Sequence, residues 1–89
     1  MKAVITVTGK DRCGIISKVS AICAENDVNI LDISQTVLQD YFAMIMLVDI
    51  DNMRHPFTSL VELLEKEGQK EGLIIKTMHE DIFNSMHRI

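Results

Sequence analysis

The sequence predicts an α+β fold in which two helices pack on one face of a four-stranded antiparallel sheet. Two observations lead to this prediction. Short segments rich in β-branched residues flank two longer segments that carry an apolar stripe at helical spacing, and their order along the chain is βαββαβ. A short stripe of helical spacing then follows the last strand. We therefore expect a short C-terminal helix as an addition to the two-layer core.

The first half of the chain is predicted to contain a strand, a helix and the first arm of a hairpin. Ala3 to Thr8 is the expected first strand. A helix is expected from about Cys13 to Asn26, because its apolar residues recur at the spacing of one helix face. These residues are Ile15, Ile16, Val19, Ile22 and Cys23. Asn26 and Asp27 end the helix, and the second strand is expected from about Val28 to Leu38.

The third strand is expected from Tyr41 to Ile50, joined to the second by the two-residue turn Gln39-Asp40. Its residues from Tyr41 to Val48 are apolar at nearly every position, so both faces of the strand require burial. Two helices cover only one face of a sheet. The C-terminal helix or a second subunit is therefore expected on the other face, since an uncovered apolar patch tends to associate.

The second half of the chain predicts a helix, a strand and the short last helix. Pro56 fits the first turn of the helix, and Gly68 or Gly72 is expected to end it. Its apolar stripe consists of Phe57, Leu60, Val61 and Leu64. Leu73 to Met78 is the fourth strand, and Thr77 and Glu80 have capping-box spacing for the last helix. Right-handed crossovers place both main helices on one face, which is the ferredoxin-like arrangement.

Composition limits the classes of function. The 89 residues form one domain, residues 1–89, and 47% of them are hydrophobic, which indicates a folded chain. The net charge is −4 and the nine Lys and Arg are scattered, so direct binding to nucleic acid is not expected. A domain of this size buries only about 60–65% of its unfolded surface, and oligomerisation is a common way to increase that burial.

Localisation is expected to be cytoplasmic. Met1-Lys2 leads directly into a short strand and not into a signal peptide, and no apolar run is long enough to span a membrane. The two cysteines, Cys13 and Cys23, are ten residues apart on one predicted helix and cannot pair with each other. They are expected to be free thiols. Neither a membrane nor a cofactor is an expected partner.

The loop before the first helix is the most informative segment for function. Gly9 and Gly14 flank it, and the backbone amides of the following helical turn have no partners within the helix. Asp11 is the expected N-cap, and Arg12 offers a fork of donors for a carboxylate. Gly14 is expected to admit a ligand or another backbone where a Cβ would intrude. The pattern favours an anion-binding site.

The sequence supports a nucleotide site, a reactive thiol or a metal site less well than an anion-binding site. The spacing of Gly9 and Gly14 copies the first half of a P-loop, but Ile15 and Ile16 stand where Lys and Ser or Thr are needed. Cys13 has a helix N-terminus beside it but no base, so it is more simply a loop residue than a nucleophile or redox thiol. The three histidines His55, His79 and His87 lack metal-ligand spacing, so no metal site is expected.

The chain resembles the ACT domain, a βαββαβ module that senses amino acids and related metabolites in many metabolic regulators. The matching residues are Gly9, the run Asp11-Arg12-x-Gly14-Ile15-Ile16-x-x-Val19 and the triplet Val28-Asn29-Ile30. The resemblance covers nearly the whole chain. It is strongest to stand-alone bacterial ACT-domain proteins, which are similar to half of the glycine cleavage system repressor, and the run Asp32-Ile33-Ser34-Gln35-Thr36 adds to it.

The resemblance implies where an effector binds. In ACT domains with known ligands, the effector lies between the loop before the first helix and the start of the second strand, usually that of a neighbouring subunit. Carried over to this sequence, the implied ligand-binding residues are Asp11, Arg12, Cys13, Gly14, Ile15, Asn29 and Ile30. For Asp11, Gly14 and Asn29, a capped helix, a close helix-to-strand contact and a turn amide are the structural alternatives.

The sequence therefore predicts a non-enzymatic regulatory domain that forms a homodimer or a higher homo-oligomer and binds an amino-acid effector at the subunit interface. A metabolic enzyme or regulator is the expected target, reached in trans. The alternative is a ligand-free module for protein interaction and assembly, as several ACT domains are. No acid, base and nucleophile converge in the sequence, so an enzyme is the least favoured class.

Overall fold

The computed structural model describes residues 1–10 and 13–86 of the chain. Within these residues the strands and helices follow the predicted order. Their bounds are β1 Lys2–Lys10, α1 Ile15–Glu25, β2 Asn29–Leu38, β3 Tyr41–Asp49, α2 Phe57–Glu71, β4 Leu73–His79 and α3 Glu80–Met86. The predicted hairpin turn is present at Gln39 and Asp40, with Leu38 paired to Tyr41.

The strands form one antiparallel sheet in the order β2-β3-β1-β4. β1 and β3 are the central strands, and β2 and β4 are the edges. Helix α1 connects β1 with β2, and α2 connects β3 with β4; the strands of each pair follow one another along the chain but are not neighbours in the sheet. Both helices bury apolar residues in the same core. The ferredoxin-like arrangement predicted from the element order is therefore confirmed.

The core lies between the helices and the inner face of the sheet. Because side chains alternate along a strand, every second side chain of β3 points into this core. These residues, Phe42, Met44, Met46 and Val48, are all buried. The other buried members of the core are Ala3, Ile5, Val7, Ile15, Val19, Cys23, Val28, Ile50, Leu60, Leu64, Leu73 and Ile75. Burial also raises the pKa of the Cys23 thiol from its usual 9.0 to about 11, because the thiolate loses hydration there.

The predicted end of α2 is confirmed at one of its two candidate glycines, and the predicted cap of α3 differs from the structure. Gly72, with φ 71°, is the C-cap of α2, whereas Gly68 lies buried inside that helix. Thr77 does not cap α3: it is a β4 residue paired with Ile5, and its buried hydroxyl has no hydrogen-bond partner among the described residues. The capping-box prediction is wrong because the strand continues to His79, which leaves Thr77 within the sheet.

The outer face of the sheet is covered at one end only. Val4 points away from the core residues Ala3 and Ile5, yet only 4% of it is exposed. Helix α3 contacts β1 and β4, and we attribute the burial of Val4 to it. The other end of this face is exposed, and we refer to it as the open outer face; it comprises Thr8, Tyr41, Ala43, Ile45 and Ile74. The prediction that β3 is apolar on both faces is confirmed, and α3 covers part of the second face.

Candidate functional site

The first turn of α1 is formed differently from the predicted capping arrangement. Gly14, and not Asp11, is the N-cap residue, and no described side chain donates or accepts a capping hydrogen bond there. Its φ of 86° lies in the left-handed region, which explains the need for glycine. A Cβ on Gly14 would meet nothing within 4 Å, so no described part of the chain approaches this residue closely, and close approach of a ligand stays a prediction. Asp11 and Arg12 lie outside the described residues.

The amides of Ile15, Ile16 and Ser17 precede the first intrahelical hydrogen bond, which Lys18 donates to the carbonyl oxygen of Gly14 at 3.0 Å. Such amides carry partial positive charge and suit a carboxylate or another anion. They border an open depression of about 320 Å³ between α1 and the hairpin. Its lining residues are Gly14, Ile15, Ile16, Ser17, Gln35, Val37 and Phe42.

The other predicted half of the site lies at the opposite end of the sheet. Asn29 pairs with Asp49 and Ile30 pairs with Val48, whereas the depression reaches β3 at Phe42. At about 3.3 Å of rise per strand residue, the seven steps from Phe42 to Asp49 correspond to roughly 23 Å. The structure thus brings Gly14 and Ile15 together with Gln35 and Val37, and it separates both from Asn29 and Ile30 within one chain.

Besides Ile16 and Ser17 of α1, three residues of the depression, Gln35, Val37 and Phe42, were not predicted as site residues. They come from the hairpin, which ends beside the end of β1: Lys10 and Leu38 both pair with Tyr41. The signal that points to them is the two-residue turn Gln39-Asp40, because it sets which end of β2 lies next to the loop before α1. Gln35 also belongs to the run that adds to the resemblance described above.

Cys13 is exposed and Cys23 is buried, as predicted from their positions on the helix. Cys13 borders a narrow apolar crevice between α1 and α2, and an ion pair between Lys18 and Glu71 joins the two helices there. The volume of the crevice is about 10 Å³, which is at most enough for a single water molecule. An amino acid does not fit into it, so the open depression is the better candidate site.

The two histidines that the structure describes, His55 and His79, do not form a site together. The ring of His79 stacks on Phe57, with centroids 4.2 Å apart and an interplanar angle of 28°. His55 is exposed, and His87 lies outside the described residues. Among residues 1–10 and 13–86, no three His, Cys, Asp or Glu side chains are arranged to hold a metal ion.

Strand β2 is an unprotected edge. All of its residues except Ile30 are exposed, and they include Leu31, Ile33, Val37 and Leu38. Edge strands are commonly protected by lysine or proline, and β2 contains neither. A bulge at Leu31 interrupts its pairing with β3 between Ile30 and Asp32. The unpaired backbone groups and apolar side chains of this strand are suited to adding another strand.

Comparison with known proteins identifies the family. The family model of the ACT domain matches residues 2–78. The chain belongs to the ACT domain family. It is 57% identical to a UPF0237 protein of Clostridium perfringens over 89 residues, which cover 100% of both chains. The ACT domain protein from Streptococcus pneumoniae has a solved structure with a TM-score of 0.80 and 44% identity, and 93% of each chain is covered.

A second solved structure bears on regulation. A protein assigned as a glycine cleavage system transcriptional repressor matches with a TM-score of 0.70 and 29% identity. The match covers 85% of this chain and 43% of that chain, which agrees with the predicted likeness to half of such a repressor. ACT family membership supports a regulatory, ligand-binding role for the chain. In the described part of the chain, no helix is long and apolar enough to cross a membrane.

Proposed function

We propose that this ACT domain is a cytoplasmic, non-catalytic regulator that binds an amino acid between two copies of the chain. The observation that carries the proposal is the separation of Gly14 and Ile15 from Asn29 and Ile30 within one chain. If these residues share one ligand, the two halves of the site must come from different subunits.

The exposed edge of β2 suggests how two subunits meet. A two-fold axis at Ser34 pairs β2 with the β2 strand of the partner subunit in antiparallel register. Asp32 then faces Thr36 of the partner subunit. The bulge at Leu31 shifts the register by one residue beyond that point, so Ile30 faces Val37 of the partner subunit and Asn29 faces Leu38 of the partner subunit.

In this register, residues that face each other across the two β2 strands lie on the same side of the sheet. In the β2-β3 pairing, Ile30 and Val37 lie on the helix side of the sheet, opposite Val48 and Phe42, while Asn29 lies on the outer side. Ile30 of one subunit therefore reaches the depression that Val37 of the other subunit borders, while Asn29 stays on the outer side of the sheet. Because of the bulge, the two β2 strands can pair over their full length while residues that face each other stay on the same side of the sheet.

The chemistry of the joined site favours a small amino acid with an apolar side chain. Its carboxylate accepts from the amides of Ile15 and Ile16, and its side chain contacts Val37 and Phe42. The amide oxygen of Gln35 is an acceptor for its ammonium group. A ligand held in this way stabilises the dimer, and the dimer in turn presents a defined surface to an enzyme or regulator.

A second candidate function is a ligand-free assembly module. The exposed apolar side chains of β2 favour it, because they are suited to association whether or not a ligand is present. The two functions share the edge interface and differ only in the depression.

The deciding experiment combines a ligand screen with a variant that breaks the edge interface. Wild-type protein is screened against the amino acids by thermal shift, since a ligand at 100 times its dissociation constant adds about 2.7 kcal/mol to the stability of the folded state. Ser34→Lys places two like charges at the two-fold axis, and Thr58→Lys on the exposed surface of α2 is the matched control. We expect Ser34→Lys, but not Thr58→Lys, to break the pairing between the two β2 strands and to abolish the response to ligand. Dimers that respond to no amino acid would favour the assembly module.

A further inference from the structure

The outer face of the sheet contains a step. Helix α3 covers the end that contains Val4, while the open outer face lies one helix layer lower. A helix is about 10 Å thick with its side chains, which is also the usual spacing between packed layers. The step is therefore as deep as the helix of a second copy is thick.

Each side of the step leaves apolar surface in solvent. On the open outer face, 61% of Tyr41, 47% of Ile45 and 63% of Ile74 are exposed. On α3, 52% of Ile82 and 64% of Met86 are exposed, whereas Phe83 is partly buried. A contact that covers both sets of side chains removes apolar surface from water in two places at once.

The charges on the two sides of the step are opposite. Lys76 stands on β4 beside Ile74, on the same outer face, and Lys10 lies at its hairpin end. The described charges of α3 are Glu80 and Asp81, both negative. Successive helix residues are rotated by about 100°, so Asp81 projects away from the side of α3 on which Phe83 is partly buried. Asp81 is exposed and faces the space that a second sheet would occupy.

We propose that the open outer face is the docking site for α3 of a second copy of this chain. The two-fold axis lies parallel to the sheet, crosses its strands and passes above the row formed by Ser34, Ile45, Thr6 and Lys76. Rotation about it exchanges the covered end of one sheet with the open end of the other. The two α3 helices then lie side by side in one layer between two sheets, and Asp81 of each subunit approaches Lys76 of the other.

The same row connects this interface with the edge interface proposed above. Both axes pass Ser34, one perpendicular to the sheet and one parallel to it. Perpendicular two-fold axes that meet generate a closed tetramer with 222 symmetry. The outer-face contact does not depend on the ligand or on the pairing of β2, so the two interfaces are tested separately.

The experiment measures molecular mass by sedimentation velocity for wild type and charge-reversal variants. Asp81→Lys and Lys76→Glu are each expected to halve the number of chains per particle and to leave the far-ultraviolet circular dichroism unchanged. The double variant Asp81→Lys with Lys76→Glu is expected to restore the wild-type mass. The matched controls are Glu62→Lys and Lys66→Glu on the exposed surface of α2.

The outcomes distinguish this proposal from the proposed function. If both single reversals keep the wild-type mass, or if the double variant fails to recover it, the outer-face contact is wrong. If Ser34→Lys keeps the wild-type mass while Asp81→Lys halves it, the edge pairing is wrong and the outer-face contact stands. A wild-type protein that sediments as a monomer at micromolar concentration overturns both.

Discussion

Gly68 of α2 lies so close to Leu73 of β4 that a Cβ added to the glycine would stand 2.8 Å from the Leu73 carbonyl oxygen. It would also lie 3.0 Å from the Ile75 side chain. The chain reverses at Gly72, and the last turns of α2 then press against the strand that follows. This contact, and not backbone conformation, requires glycine at residue 68, since a left-handed φ is found at Gly72 and Gly14 but not at Gly68.

Gly68→Ala is expected to destabilise the domain by about 1–3 kcal/mol, because the methyl group forces α2 and β4 apart. At an open helical position the same change would stabilise by roughly 0.5–1 kcal/mol, so the sign of the effect is decisive. Urea unfolding gives the free energy. Gln69→Ala, at the exposed neighbouring position, is the control and is expected to change stability by less than about 0.5 kcal/mol. A more stable Gly68→Ala protein would contradict the predicted contact.

Ile45 and Met46 are expected to respond in opposite ways to replacement by aspartate. Met46 is fully buried in the core, and a charge there costs more than about 4 kcal/mol, a large part of the stability of a small domain. Met46→Asp is therefore expected to unfold the chain. Ile45 lies on the open outer face, so Ile45→Asp is expected to keep the fold and weaken self-association.

Circular dichroism and sedimentation together measure this difference. An unfolded Ile45→Asp protein, or a folded Met46→Asp protein, would show that the assignment of the two faces of β3 is wrong. Alanine at both positions serves as the control for loss of side-chain volume. Met46→Ala is expected to cost about 2–5 kcal/mol, and Ile45→Ala much less.

Cys13 is expected to react with a thiol reagent under native conditions well before Cys23 does. Cys13 is exposed, whereas Cys23 is buried and its thiol pKa is raised to about 11 by lost hydration. Mass mapping after brief labelling at pH 8 measures both sites. Equal labelling rates would mean that the buried stripe of α1 is assigned incorrectly.

The raised pKa of Cys23 also predicts a pH dependence of stability. Below pH 9 the thiol is protonated in both the folded and the unfolded chain, and stability is unaffected. Between pH 9 and about 11 only the unfolded chain releases the proton, so the free energy of unfolding falls as the pH rises. Cys23→Ala is expected to lose stability throughout because of the cavity, but to show a smaller decrease over this interval. An identical slope in both proteins would exclude the linkage.

Gln35→Ala is expected to weaken effector binding by about 1–3 kcal/mol while changing thermal stability little, since Gln35 lines the depression and is exposed in the single chain. Calorimetry with the best amino acid from the screen measures the loss. Asn52→Ala, in the exposed loop before α2, is the control. Unchanged affinity of Gln35→Ala would place the ligand outside the joined site.

Gly14→Val is a test of stability as much as of binding. The site is open, so the new side chain meets no atom, but the φ of 86° strains any residue with a Cβ. We expect Gly14→Val to lower the free energy of unfolding by more than about 1 kcal/mol. A fully stable Gly14→Val protein would show that the start of α1 adopts another backbone conformation.

Local sequence patterns predicted the elements well. The turn Gln39-Asp40 and the apolar stripe of α2 depend on neighbours a few residues away, and each lies where it was expected. The residues that cap the helices were predicted less well. Asp11 has the side chain of a good N-cap, and Thr77 has capping-box spacing, but Gly14 is the N-cap of helix α1 and strand β4 continues past Thr77. Spacing alone does not show where sheet pairing ends.

The amino-acid sequence by itself determined the fold class and the accessibility of the two cysteines, because hydrophobic periodicity and turn chemistry act over short distances along the chain. The family followed from the resemblance of the segment from Gly9 to Val19 and of Val28-Asn29-Ile30 to the ACT domain. Only the tertiary structure decided which residues meet. The register of β2 on β3 separates Asn29 from Gly14 and brings Gln35 and Val37 to the start of α1 instead. The docking of α3 over Val4, which leaves Ile45 exposed, likewise depends on contacts between residues far apart in sequence. Register and docking are set by packing across the sheet, and no local pattern contains that information.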